Sequence, residues 1–377
     1  MTDILQANED HGCDDETMSA IVSSQDEVET DIVEAGDPVP LRDIEFTDLF
    51  ISQMGECRMR GAHVHNLEGG GLAPLINLDA TALADFEALL NKVVQKADGG
   101  EREFALMHDG VNYRVAKIDD QRGVWYALRR MLPRIPRLHE VVRDRTLYRL
   151  IGQAGARSKR GLILVAGATG DGKTTSVFSM LQEYLLNYGN IGYTIEDPPE
   201  MTLSGEVGKF GQCFQVQVKD GDFKSKLTEA LRCRPRYIMV GEIRDSEAAS
   251  ELLRAANSGH VVLSTIHAGA VPEAVQSLAR YVAGTMDDEL ARHLMASCLS
   301  LVIHQKLVQT DRGGEISRYP AMEVLEVAGS TAVKSTIREG KYDQLRNHLS
   351  LQSDRRAAEA RNKSASTSGR KGRRVAR

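Results

Sequence analysis

The segment that most constrains this chain is a glycine-rich loop between a predicted strand and a predicted helix. The apolar residues 162–166 predict a buried strand, and residues 173–186 have the pattern of a helix. Between them, Gly167–Thr174 reads G-A-T-G-D-G-K-T and matches the pattern G-x-x-x-x-G-K-[ST]. Glycines at this place let backbone N–H groups wrap phosphate oxygens, and the new helix adds its positive end. We therefore predict a nucleotide phosphate loop rather than a glycine-rich turn that fits the pattern by chance.

The residues of this loop have separate predicted tasks. Lys173 is expected to reach the β- and γ-phosphates of ATP, and Thr174 to hold Mg²⁺. Asp171 is unusual because its carboxylate would lie near the triphosphate charge, so we expect it to point to solvent or to pair with a base. The predicted nucleotide-binding residues are Gly167, Thr169, Gly170, Asp171, Gly172, Lys173, Thr174 and Thr175.

Strands and helices alternate on both sides of the loop, which predicts an α/β domain with a parallel sheet covered on both faces. We predict further strands at Ile191–Ile195, Tyr237–Val240 and Val261–Ser264, and helices that include Ser246–Asn257 and Pro272–Val282. This domain is assigned to residues 141–351, with helices at its C-terminal end.

The preceding residues have a different pattern, which predicts a smaller α+β domain over residues 41–140. Apolar residues at helical spacing predict a helix over Asp79–Ala97. Strands are predicted at Phe104–Met107, Tyr113–Ile118 and Val124–Leu128. The proline-rich segment Leu132–Pro136 is either a linker between the two domains or an ordered surface loop.

Charge is concentrated at the two ends of the chain. Residues 1–40 hold 12 Asp and Glu with no Lys or Arg, whereas residues 352–377 hold 9 Lys and Arg with 2 acids. Both ends are predicted to be disordered tails. The basic tail, Arg370–Arg377 especially, is either simply solvated or meets an anionic membrane, nucleic acid or an acidic partner.

Composition excludes several other classes of protein. Aromatic residues make up 5% of the chain, too few for the stacking platforms of single-stranded nucleic acid binders. Apolar runs are too short for a membrane span, and the acidic N-terminus lacks the pattern of a signal peptide. The five cysteines are far apart and form no CxxC pair, which disfavours a disulfide framework or a zinc site. These features predict a cytoplasmic protein.

Carboxylates end two of the predicted strands, at the edge of the sheet where ligands bind. Glu242 follows an apolar strand in the Walker B pattern, where it would activate water or contact Mg²⁺ through water. Glu196 and Asp197 could hold Mg²⁺ or orient water, although this segment is also typical of a polar turn closed by two prolines. A third strand ends in Thr265 and His267, which could sense the γ-phosphate or be structural.

The order of these segments resembles that of the PilT-like secretion and pilus traffic ATPases, the type II/IV secretion ATPase superfamily. The boxes read GATGDGKTT, TIEDPPE, VGEIRD and GHVVLSTIH, and the similarity runs from about residue 46 to about residue 349. Arginine motifs of the family's N-terminal domain are matched at Tyr113–Val115, Gln121–Gly123 and Leu128–Arg129. A further family motif near the C-terminus resembles Ser335–Lys341.

The resemblance implies a homohexameric ring that hydrolyses ATP with Mg²⁺ at the cytoplasmic face of an inner-membrane secretion or pilus complex. It implies a RecA-like P-loop domain joined by a hinge to a PAS-like N-terminal domain. Arg114 and Arg129 would approach the γ-phosphate, and Arg122 is a further candidate. Glu242 would be the general base, Glu196 and Asp197 would support Mg²⁺ or water, and His267 would read the γ-phosphate.

This sequence departs from the common family pattern at several positions. Ala168 and Asp171 stand where Pro and Ser are usual, Arg234 and Arg236 replace two acids, and Ala268–Gly269 replaces Thr-Asn. The departures are more similar to the DotB/TraJ-type branch of type IVB secretion and conjugation. The alternatives are a type IV pilus retraction motor and a nucleotide-regulated assembly platform with little turnover.

Overall fold

The structure is a computed structural model. It describes residues 39–371, apart from residues 45, 61–74, 79, 81–82, 133, 157–158, 219–220 and 313–314. The acidic segment 1–38 and the last residues, 372–377, lie outside the described part. Within it, every helix is too short or too polar to span a bilayer.

The N-terminal unit is a six-stranded antiparallel sheet with one long helix. Its strands are paired in the order β3-β2-β1-β6-β5-β4. They are β1 (Asp48–Ser52), β2 (Cys57–Arg60), β3 (Leu75–Leu78), β4 (Glu103–His108), β5 (Val111–Asp120) and β6 (Gly123–Arg130). Helix α1 (Phe86–Asp98) buries Phe86, Leu89 and Val93 against this sheet. The helix was predicted to begin at Asp79, but it begins at Phe86, and residues 79, 81 and 82 lie outside the described residues.

The second unit is built on an eight-stranded sheet with the order β14-β13-β7-β12-β11-β8-β10-β9. The strands from β13 to β10 are parallel to their neighbours, and antiparallel strands β14 and β9 form the two edges. They are β7 (Gly161–Gly167), β8 (Asn190–Glu196), β9 (Gly205–Val207), β10 (Gly211–Gln217), β11 (Tyr237–Val240), β12 (Val261–His267), β13 (Leu299–Arg312) and β14 (Glu315–Glu326).

Helices cover both faces of this sheet, as the alternating pattern predicts. They are α2 (Leu138–Val141), α3 (Arg145–Ala154), α4 (Lys173–Tyr188), α5 (Phe223–Arg232), α6 (Ser246–Asn257), α7 (Val271–Ala283), α8 (Asp288–Cys298), α9 (Thr331–Arg338) and α10 (Leu345–Lys371). Successive residues of β7 face opposite layers: Leu162 and Leu164 pack in one hydrophobic cluster, Ile163 and Val165 in the other. Burial on both faces explains why β7 is a continuous apolar run.

The connection between the units is packed rather than free. Ile135, Leu138, Val141 and Val142 are buried in the core of the second unit. The last strand of the N-terminal sheet ends at Arg130. From Ile135 onward the chain therefore packs in the core of the second unit.

The C-terminal helix differs from the expectation of a disordered tail. Helix α10 continues to Lys371, and its side chains hydrogen-bond to the edge strand β14. The Gln352 amide accepts from the Glu326 N–H at 2.8 Å and donates to the Glu326 carbonyl at 2.9 Å. Arg356 donates to the Val324 carbonyl at 2.9 Å. The helix thus satisfies backbone groups on a sheet edge that would otherwise be open.

Candidate nucleotide-binding site

The phosphate loop lies between the end of β7 and the start of α4. Gly170 and Gly172 have φ angles of +88° and +76°, in the left-handed region that favours glycine. Lys173 is the first residue of α4, and its Nζ donates to the carbonyls of Gly167 and Ala168 at 3.0 and 2.9 Å. The loop therefore folds around its own lysine, and its glycines allow backbone N–H groups to meet phosphate.

Most of the residues predicted from the sequence line one cavity of about 320 Å³ next to this loop. The predicted residues that line it are Arg114, Arg129, Thr169, Gly170, Gly172, Lys173, Thr174, Thr175, Glu196, Asp197, Glu242, Thr265 and His267. Both units therefore contribute to the cavity. Gly167, Asp171 and Arg122 are not among its lining residues.

The register of the parallel strands explains why these residues meet. Strand β12 pairs with β7 so that His267 lies opposite Gly167, and β11 lies between β12 and β8. Because parallel strands end at the same edge, the residues at and just after the ends of β7, β8, β11 and β12 converge there.

A chain of polar contacts crosses the cavity from the phosphate loop to Arg244. Lys173 Nζ lies 3.4 Å from His267 Nδ1, and His267 Nε2 lies 2.7 Å from Glu242 Oε1. The other oxygen, Glu242 Oε2, accepts from Arg244 Nε at 2.8 Å. Burial lowers the pKa of Lys173, and this effect outweighs the carboxylates of Glu242, Asp171 and Glu200, which act to raise it. Glu242 is thus held at the cavity by a partner for each oxygen.

Glu196 is the most deeply buried acid of the site. Its Oε1 accepts from Thr194 Oγ1 at 2.7 Å and from Gln215 Nε2 at 2.8 Å, and its Oε2 accepts from the Glu200 N–H at 3.2 Å. Burial raises the pKa of Glu196 to about 7, although these hydrogen bonds act to lower it.

The cavity offers oxygen ligands of the kind that Mg²⁺ prefers. Thr174, with a hydroxyl, and Asp197, with a carboxylate, are both lining residues. Among the described residues no group of three or more His, Cys, Asp or Glu side chains is placed to bind a metal. This donor set fits Mg²⁺, which is commonly held by one or two protein oxygens together with water and substrate phosphates.

The N-terminal sheet supplies two arginines to the cavity. Arg114 on β5 and Arg129 on β6 are directly paired across the two strands. Arg114 donates to Glu200 at 2.9 Å and to Glu103 at 3.1 Å. Arg129 Nε donates to Asp48 Oδ1 at 2.8 Å. The third arginine, Arg122, lies in the exposed β5–β6 turn, outside the cavity.

Sequence reasoning missed several residues around the cavity. Arg244 and Phe223 line it, and Asp48 is a buried acid that also receives the Arg60 guanidinium. Burial acts to raise the pKa of Asp48, but hydrogen bonds from Arg129 and Arg60 bring it below its usual value. Arg244 lies within the VGEIRD box and could have been found there. Asp48 lies 81 residues before Arg129, and no local pattern joins them.

Asp171 has a different role from the one expected. Its Oδ2 accepts from the Ala168 N–H at 2.7 Å, and its Oδ1 accepts from the Leu307 N–H at 3.1 Å. The expectation that this carboxylate points to solvent or pairs with a base was therefore wrong, because two backbone N–H groups satisfy it.

Residues 89–375 match the family model described as "Type II/IV secretion system protein". The chain belongs to this family. The match covers all described residues of the second unit and the last part of the first, so it includes the phosphate loop, Glu242 and His267.

The relatives of this type II/IV secretion family member include named ATPases. The pilus retraction ATPase PilT of Pseudomonas aeruginosa is 30% identical over 248 residues, 65% of this chain and 68% of that protein. The Escherichia coli protein YggR is 31% identical over 69% of this chain and 78% of its own length.

Solved structures confirm the fold. A crystal structure of the pilus retraction motor PilT with bound ADP has a TM-score of 0.64 at 26% identity, covering 81% of this chain and 86% of that chain. The Legionella pneumophila ATPase DotB has a TM-score of 0.60 at 23% identity, with 83% and 84% covered, and shows the fold alone. The predicted resemblance to PilT-like secretion ATPases is confirmed, as is the fold class: an α/β RecA-like domain with a smaller N-terminal α+β domain.

The pKa of Glu196 predicts a pH-dependent difference in stability between the wild type and Glu196→Gln. An ordinary Glu has a pKa of 4.5, so the unfolded chain ionises this group before the native state, where the pKa is about 7. As the pH rises from 4.5 to 7, the free energy of unfolding of the wild type should therefore fall relative to that of the variant, by at most about 3 kcal/mol. Urea unfolding at pH 5, 6, 7 and 8 measures this difference.

The matched control is Glu206→Gln, which makes the same change at an exposed position on β9. Its stability should follow the wild type at every pH. Parallel pH curves for the wild type and Glu196→Gln would show that burial does not raise the pKa of Glu196.

Proposed function

We propose that this chain is a Mg²⁺-dependent ATP hydrolase that works as a homohexamer and powers transfer across the cell envelope. The observation that carries the proposal is the convergence on one cavity of the phosphate loop, the strand-end acid Glu242, His267, and Arg114 and Arg129 of the other domain. The similarity to PilT, whose crystal structure contains ADP, supports a nucleotide as the ligand.

The loop and its lysine bind the phosphates in this proposal. Backbone N–H groups after Gly170 and the start of α4 meet the anionic oxygens, and Lys173 exchanges its two carbonyl partners for phosphate. Thr174 and Asp197 hold Mg²⁺, which supplies charge neutralisation on the phosphates when it is bound.

Glu242 is the group proposed to take the proton of the attacking water. Its contacts to His267 and Arg244 fix the carboxylate at the end of β11. His267 contacts both Lys173 and Glu242. In this proposal it senses the γ-phosphate and transmits its presence to Glu242. Glu196 holds the backbone of Glu200 and thereby shapes the wall of the site.

Arg114 and Arg129 are proposed to neutralise charge on the transferred phosphoryl group. Both come from the N-terminal sheet, whereas the phosphate loop belongs to the second domain. A guanidinium that binds phosphate would therefore couple the position of one domain to the nucleotide held by the other.

We predict different outcomes for two substitutions in the cavity. Lys173→Ala should abolish ATP turnover, because it removes the cation that binds the phosphates. Glu242→Gln should still bind ATP but hydrolyse it at least about a hundredfold more slowly, because the amide cannot accept the proton. Steady-state phosphate release and equilibrium nucleotide binding measure both. Turnover near the wild-type rate in Lys173→Ala, or loss of ATP binding in Glu242→Gln, would contradict these assignments.

The work that ATP drives has two candidate forms. Type IV secretion of the IVB or conjugative kind is supported by the departures at Arg234, Arg236 and Ala268–Gly269 from the common family pattern. Pilus retraction is supported by the 30% identity to PilT of Pseudomonas aeruginosa. In either case the proposed location is the cytoplasmic face of an inner-membrane complex.

A deletion strain separates the two candidates. We expect loss of effector or plasmid transfer with surface motility intact, since secretion is the first candidate. Restoration by the wild-type gene but not by Lys173→Ala would tie transfer to ATP binding. Loss of motility with transfer intact would support the retraction motor. Restoration by Glu242→Gln would support an assembly platform that needs nucleotide but little turnover.

A further inference from the structure

The hairpin of β13 and β14 extends beyond the sheet at the phosphate loop. Strand β13 pairs with β7 only from Leu299 to His304, whereas its pairing with β14 continues to Arg312. His304 lies opposite Ala166, so the hairpin leaves the sheet where β7 becomes the phosphate loop. We call residues 305–312 and 315–321 the ribbon.

The ribbon is in close contact with the back of the phosphate loop. A Cβ atom added to Gly167 would lie 2.5 Å from the Gln305 carbonyl oxygen, which leaves no room for a side chain. A Cβ on Gly172 would lie 3.6 Å from Gln305 Nε2. Both ends of the loop therefore lie against one ribbon residue, Gln305, which is fully buried.

Asp171 joins the loop to the ribbon through both its backbone and its side chain. Gln305 Nε2 donates to the Asp171 carbonyl at 2.6 Å, and the Leu307 N–H donates to Asp171 Oδ1 at 3.1 Å. The second carboxylate oxygen accepts from the Ala168 N–H within the loop, at 2.7 Å. A local turn would need only the bond from the Ala168 N–H. The two bonds to the ribbon instead join residues that are 134 and 136 positions apart in the sequence.

Two further observations show that the contacts between Asp171 and the ribbon affect the hydrogen bonding of Gln305 and the pKa of Asp171. Gln305 Oε1 is buried, and within the described structure it has no hydrogen-bond partner. An unpaired buried acceptor costs free energy, and the fold tolerates this cost while Gln305 Nε2 donates to the Asp171 carbonyl. The pKa of Asp171 is lowered, because the N–H groups of Leu307 and Ala168 outweigh the effect of burial. The carboxylate thus remains ionised beside a loop that is expected to bind anions.

We infer that Asp171 is a positioning residue that fastens the phosphate loop to the β13–β14 ribbon and thereby sets its affinity for nucleotide. The inference rests on the proposed function in one respect, that this loop holds a nucleotide. It explains a carboxylate in the phosphate loop: the charge faces the ribbon, and the loop keeps its glycine N–H groups for the ligand.

The test replaces Asp171 by Asn in the full chain and measures ADP affinity by calorimetry together with the KM and kcat for ATP. An amide cannot accept two N–H bonds on separate oxygens, so one of the two contacts is lost. Loss of a hydrogen bond to a charged group should raise the dissociation constant for ADP and the KM for ATP by about tenfold. The kcat should stay within about twofold, because Asp171 touches neither Glu242 nor the arginines.

Asp287→Asn is the matched control. Asp287 Oδ2 also accepts two backbone N–H groups, from Glu289 at 2.9 Å and Leu290 at 3.3 Å, at the start of α8. This variant makes the same Asp-to-Asn change and removes the same negative charge away from the phosphate loop, so it should leave ADP affinity unchanged. Because both N–H groups meet one oxygen of Asp287, the Asn carbonyl can still accept them, and the control isolates the loss of charge.

Gln305→Leu supplies an independent variant, and it decides the inference if Asp171→Asn does not fold. It removes the bond to the Asp171 carbonyl and should also weaken ADP binding. The double variant should weaken binding by less than the product of the single effects, because both residues hold the same segment.

Unchanged ADP affinity in Asp171→Asn and Gln305→Leu, a fall in kcat without a rise in KM, or an equal effect of Asp287→Asn would overturn the inference. Failure of the proposed function is a distinct result: a wild type that binds ADP without turnover is not an ATP hydrolase, but its ADP affinities still decide the role of Asp171. A wild type that binds no ADP overturns both.

Discussion

The site depends on the parallel pairing of β7 with its neighbours. Because β12 runs beside β7 with His267 opposite Gly167, the last residue of one strand is brought to the start of the phosphate loop on the other. Strands β11 and β8 add Glu242 and Glu196 at the same edge. None of these residues is close to the loop in sequence, so their meeting is a product of sheet order alone.

Buried charge is the second constraint on this edge of the sheet. Lys173 and Glu196 are both nearly fully buried, and an isolated charge in such a place is costly. Lys173 is satisfied by two loop carbonyls, and Glu196 by a hydroxyl, an amide and a backbone N–H. Burial lowers the pKa of Lys173 and raises the pKa of Glu196, so it favours the neutral form of each group. A bound triphosphate would favour the charged form of the lysine, which links affinity to the desolvation of the site.

Much of the second domain could be predicted because its signals are local. The strand Tyr237–Val240 and the helix Ser246–Asn257 have the predicted bounds, since an apolar run and helical spacing mark them directly. Asp245 caps this helix by accepting from the Ala248 N–H at 2.7 Å.

The features that could not be predicted depend on contacts between distant segments. Asp48 reaches Arg129 and Asp171 reaches Leu307 only after folding, and neither pair has a spacing that a sequence pattern can detect. The polar sequence after Leu351 predicts disorder, but Gln352 and Arg356 find backbone partners on β14 that help to dock the helix there. The assignments of Arg114 and Arg129 needed the resemblance, because an arginine on a strand is by itself an ordinary surface residue.

In the proposed function, the two domains build one catalytic site. Turnover by Arg129→Ala tests it most directly, with Arg122→Ala as the control because Arg122 lies in an exposed turn outside the cavity. Arg129→Ala should lower the kcat for ATP on the order of a hundredfold while ADP affinity is kept, since this arginine acts on charge that develops during hydrolysis. Arg122→Ala should resemble the wild type. Equal turnover of Arg129→Ala and Arg122→Ala would contradict a site shared between the domains.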